Sequence, residues 1–78
     1  MTSAVRCYPN PVTGTLTVEM PALKMHSVRL YNAAGSLLTQ WNEVSEGLEV
    51  DFAGLASGNY YLAFQGETEG FVRKLVKI

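Results

Sequence analysis

The feature that most constrains this chain is a period of two. Leu16, Val18 and Met20 alternate with Thr15, Thr17 and Glu19; Leu48, Val50 and Phe52 alternate with Glu49 and Asp51; Tyr60, Leu62 and Phe64 share one side of a third run. Successive strand residues point to opposite faces, so such runs read as half-buried β-strands. Helix signals are weak. Gly, Pro, Asn and Ser separate the runs at a spacing of about 8–12 residues, the pattern of a sandwich or small barrel.

Seven strands are expected, over Ala4–Tyr8, Gly14–Met20, Ser27–Asn32, Ser36–Asn42, Leu48–Phe52, Asn59–Gln65 and Phe71–Ile78. Pro9 and Pro11 fix φ and lack N–H donors, and Asn10 is pushed to an extended conformation by Pro11, so Pro9-Asn10-Pro11 sets a bend. Pro21 ends the second strand. Asn32-Ala33-Ala34-Gly35 predicts a tight hairpin. Gly54–Gly58 makes a bend with Leu55 tucked under the sheet, and Gly66–Gly70 forms an acidic hairpin loop. The final run mixes apolar and cationic residues on both faces, which suggests an edge strand or one with an open end. The fold expected is an all-β, compact immunoglobulin-like antiparallel β-sandwich of about seven strands.

The 78 residues allow one domain, spanning 1–78 with a core from about residue 4. A domain this small buries only about 60% of its unfolded surface, so nearly every apolar side chain is needed for the core and little is left to build a cleft. A net charge of −1 leaves no electrostatic footprint for nucleic acid. No apolar run approaches the roughly 20 residues of a membrane span. Met1-Thr2-Ser3 does not open a signal peptide, so an exported domain of this kind is expected to follow a leader further upstream in a longer protein.

No constellation for catalysis stands out. His26 is the only histidine and reads as a surface residue without a catalytic partner. Cys7 is the only cysteine, which excludes an internal disulfide and reads as a small buried hydrophobe. Glu43, Glu46, Glu49 and Asp51 lack the convergence a calcium loop needs; Glu49 and Asp51 keep a strand face wet. No metal or cofactor is expected. Trp41, Tyr8, Tyr31, Tyr60 and Tyr61 include rings able to stack on sugars, though Tyr31 and Tyr60 read as core.

Four blocks in order carry a resemblance. They are Tyr8-Pro9-Asn10-Pro11 followed by Gly14–Val18; Val28-Arg29-Leu30-Tyr31-Asn32-Ala33-Ala34-Gly35; Leu55-Ala56-Ser57-Gly58-Asn59-Tyr60-Tyr61-Leu62; and Gly70 followed by Lys74-Leu75-Val76-Lys77-Ile78. Together they resemble the C-terminal sorting domain of proteins exported by the type IX secretion system of Bacteroidetes, over nearly the whole chain. The resemblance implies a non-catalytic signal that closes a longer cargo protein. It implies passage through the periplasm, recognition by the outer-membrane translocon and surface-attachment machinery, and delivery to the cell surface or medium. In many members a sortase-like peptidase removes the domain and joins the cargo to anionic lipopolysaccharide.

A signal shared by unrelated cargos needs a common surface, and the residues with the weakest structural reason to matter are Lys74, Leu75, Val76, Lys77 and Ile78. An open last strand would let a partner add a strand there. Pro9, Asn10, Pro11, Leu30, Tyr31, Asn32, Gly35, Gly58, Tyr60 and Gly70 read as structural. Two further expectations are a dimer made by strand exchange or edge pairing and, as the competing function, an Ig-like surface module that binds glycan or a protein.

Overall fold

A computed structural model describes residues 5–20, 24–68 and 70–78. Its strands are β1 (Arg6–Tyr8), β2 (Thr15–Glu19), β3 (Lys24–Asn32), β4 (Leu37–Ser45), β5 (Leu48–Asp51), β6 (Gly58–Gln65) and β7 (Gly70–Lys77). They form a three-stranded sheet, β1-β2-β5, and a four-stranded sheet, β4-β3-β6-β7. Every neighbouring pair is antiparallel. The seven-stranded all-β architecture expected from the alternation is the one that forms.

The alternation is cashed directly in the core. Leu16, Val18 and Met20 from the β2 run are buried, as are Val50 and Phe52 from β5 and Tyr60, Leu62 and Phe64 from β6. Phe52 meets Tyr60 edge-on at 5.5 Å between ring centroids. The Tyr60 hydroxyl donates to the Ala56 carbonyl at 2.6 Å, which satisfies the polar tip of a buried ring. Fully burying each such side chain is worth about 1.5–3 kcal/mol. Leu55 is half-buried against this core, under the bend that precedes β6.

The β3–β4 hairpin is tied by Asn32. Its side-chain oxygen accepts from the Ala34 and Ser36 amides, both at 3.0 Å, and its carbonyl accepts from Gly35 at 3.0 Å. Gly35 has φ 86°, the left-handed conformation that the turn requires. Gly47, at φ 105°, is held to glycine more tightly: a Cβ there would run into the Val18 carbonyl oxygen.

Most strand limits fall within one residue of expectation, and three differ by more. β3 begins at Lys24 rather than Ser27, β4 runs to Ser45 rather than Asn42, and β1 begins at Arg6. β4 is an edge strand, and Val44 is its only buried residue. Alternation is therefore too sparse on β4 to mark its end, although the ladder continues through Met25–Val44 and Lys24–Ser45. Ala4, Pro21 and Glu69, which entered the expected strand and loop limits, lie outside the described residues.

Candidate functional site

The last strand is where a recognition surface was expected. β7 pairs with β6 in an unbroken register, from Gly70 opposite Gln65 to Lys77 opposite Gly58. Period two then divides its side chains. Phe71, Arg73, Leu75 and Lys77 lie on the face turned towards the other sheet; Val72, Lys74 and Val76 lie on the outer face. Leu75 is 1% exposed and belongs to the core. Phe71 stacks on Phe64 at 4.8 Å, and the Arg73 guanidinium sits 4.9 Å from the centre of the Phe71 ring. The inward cation thus rests on an aromatic face at the margin of the core. Val72 is 57% and Ile78 62% exposed. Of the five tail residues expected to be read by a partner, Leu75 is unavailable to one in the folded domain.

The outer edge of this strand is not open along its length, which corrects the sequence expectation. After β1 leaves the three-stranded sheet at Pro9, the chain crosses to the four-stranded sheet and lies along β7. Val12 forms a parallel bridge with Lys77. Its N–H donates to the Val76 carbonyl at 2.8 Å, and its carbonyl accepts from the Ile78 amide at 3.1 Å. Asn10 continues the pairing with its side chain: Oδ1 accepts from the Val76 amide at 3.0 Å and Nδ2 donates to the Lys74 carbonyl at 3.3 Å. The flanking prolines have no N–H to offer, so the Asn10 amide supplies the donor that the local backbone lacks. Val12, fully buried, pins the segment to the core. Sequence reading assigned Asn10 to the bend and gave Val12 no role. The available signal was the Pro-Asn-Pro-Val string, in which a bidentate polar side chain precedes an apolar one.

The other residues singled out are dispersed. Leu30 and Tyr60 are core, Asn32 and Gly35 build the hairpin, and Gly58 and Gly70 open β6 and β7. Tyr31 is a correction: it lies beside Tyr61 on the outer face of the four-stranded sheet, half-buried, because it falls out of phase with Val28 and Leu30. Trp41 packs partly against the core. Cys7 is half-buried, and burial pushes its thiol up against the opposing charge of Arg73, which disfavours the thiolate a nucleophile would need. Tyr8 donates to Glu19 at 2.6 Å, and that bond raises its phenol.

His26 faces Glu43 at 3.5 Å on the surface, while Asp51 accepts from the Ala53 amide at 2.9 Å and so supports a turn. Among the described residues, no group of three or more His, Cys, Asp or Glu side chains is placed to hold a metal ion. An open cleft of about 230 Å³ lies between Asn32–Ala34 and Ser57–Tyr60. Among the described residues no helix is long and apolar enough to cross a membrane.

A family model described as the secretion system C-terminal sorting domain matches residues 6–78. No curated protein matches the chain.

Proposed function

The chain belongs to the secretion system C-terminal sorting domain family, the type IX sorting tails, and from that membership we propose that it acts as a non-catalytic address that the outer-membrane translocon reads on the folded domain. Sorting tails of this kind direct export to the cell surface or the medium. The observation that carries the reading is the match over residues 6–78, nearly the whole domain. We place recognition on the accessible part of the tail, Lys74, Val76, Lys77 and Ile78, with Leu75 holding the strand in place. Transit through the periplasm, removal by a sortase-like peptidase and joining of the cargo to anionic lipopolysaccharide are the steps that would follow.

The test is a fusion of this domain to a periplasmic reporter in a bacterium with a working type IX system. The reporter should reach the cell surface or the medium. A reporter that stays in the periplasm while a known cargo is exported by the same cells would overturn the proposal.

A second reading has one observation in its favour. Tyr31 and Tyr61 lie directly opposite each other on the outer sheet face, with Arg29 and Lys74 on the same face. Such a platform suits stacking against a sugar ring. Saturable binding to purified surface polysaccharide, lost in Tyr61→Ala, would support it.

A further inference from the structure

We propose that the outer edge of β7 between Gly70 and Lys74 is a strand-addition site for an extended polypeptide segment of the export machinery, and that Asn10–Val12 sets its length by occupying the rest of that edge. The proposal rests on the sorting-signal reading above and names the part of the tail a partner's backbone can reach.

The geometry follows from the register. The outward backbone groups of the covered half are the Lys74 carbonyl, the Val76 amide and carbonyl, and the Ile78 amide. The register from Lys77 back to Gly70 has no bulge, so the same parity turns the Val72 amide and carbonyl and the Lys74 amide outward. Among the described residues these groups have no backbone partner. Outward pairs recur at about 6.6–6.8 Å along a strand, a row of alternating donors and acceptors that another extended backbone matches. The edge already accepts such a partner in cis, since Val12 pairs with Lys77.

The side chains agree. Val72 is 57% exposed on the outer face, where an added strand would lay a side chain against it. Proteins usually blunt an uncovered edge with a bulge, a proline or an inward-pointing charge. Over Gly70–Lys74 the edge carries no bulge and no proline, and its one inward charge, Arg73, lies over the Phe71 ring at the margin of the core. A strand that continued past Lys74 would meet the Asn10 side chain, which holds the Lys74 carbonyl and the Val76 amide. The last residues are therefore open to recognition by their side chains and closed to recognition by their backbone.

Val72→Pro deletes the outward donor without touching the β6 ladder, and Val72→Thr keeps it. In the reporter fusion, V72P should lower export by about tenfold relative to V72T, the effect of one unmade hydrogen bond at a dry interface. Thermal unfolding of both isolated domains is measured alongside. Should V72P fail to fold, Lys74→Pro against Lys74→Gln repeats the comparison at the next outward amide. Equal export of the folded proline and non-proline variants would overturn the proposal. Asn10→Ala gives an independent arm: it frees two more backbone groups, so the folded variant should export at least as well as wild type despite lower stability. Export falling in proportion to its stability would count against Asn10 as the limit. Retention of the wild-type fusion would instead defeat the sorting-signal reading before any variant is compared.

Discussion

The four-stranded sheet has two edges, β4 and β7, and they are guarded in opposite ways. β4 is spoiled from within. Its pairing with β3 slips between Leu30 and Tyr31, and Glu43 sits at φ 53°, so the strand cannot present an even row of backbone groups. Its side chains add an exposed polar run in which Gln40 donates to Asn42 at 2.8 Å. β7 keeps an even register over all eight residues and is covered instead by another part of the chain, over half its length. On the strand-addition proposal, an edge that a partner is to pair with cannot be defended by distorting it. External cover preserves the straight template, whereas internal irregularity destroys it.

The sharpest way to probe this contrast is to loosen each edge from the core. Leu75→Ala should cost about 2–5 kcal/mol in urea unfolding, enough to unfold much of a domain this small. Val44→Ala on β4, which removes two methyl groups, should cost about 1.5 kcal/mol. Equal costs would mean that the two edges are anchored alike.

A smaller effect should attend the cover. Asn10→Ala removes two solvent-exposed hydrogen bonds to β7 and should cost about 1 kcal/mol, with faster amide exchange at Val76 and no change on β4. Unchanged exchange at Val76 would show that the side chain does not hold that edge.

The smallest effect concerns Cys7, in the sheet opposite. Burial raises its thiol above the ordinary 9.0, and Arg73 on β7 pulls it back. Folding thus favours the neutral thiol. Its contribution is complete below the unfolded value and is lost as pH rises through the folded one. Stability should decline more steeply above about pH 9 in the wild type than in Cys7→Ala. Arg73→Ala should slow alkylation of Cys7 further by removing the opposing cation, and faster alkylation would contradict the arrangement.

Much of this fold was legible because alternation is a local signal. Leu16, Val18, Val50, Phe52, Leu62 and Phe64 each declare their face through neighbours two residues away. Tyr31 was misjudged because an aromatic ring looks like core until its phase is compared with Val28 and Leu30. β4 was cut short because an edge strand buries too little to leave a pattern. The family was legible through the order of its blocks. The cover on β7 was not, because nothing near Asn10 or Val12 in the sequence indicates a partner that follows most of the intervening chain.

That separation has a consequence for when the tail becomes available. Asn10 and Val76 are 66 residues apart, so their contact closes one of the longest loops in the domain. Closing a loop of that span carries an entropic cost that the contact must offset, so docking of Asn10 is favoured once the intervening strands are in place. The half-covered edge is therefore a mark of completed folding. A chain whose first segment has not yet docked shows a bare last strand of full length; a finished domain shows a short one.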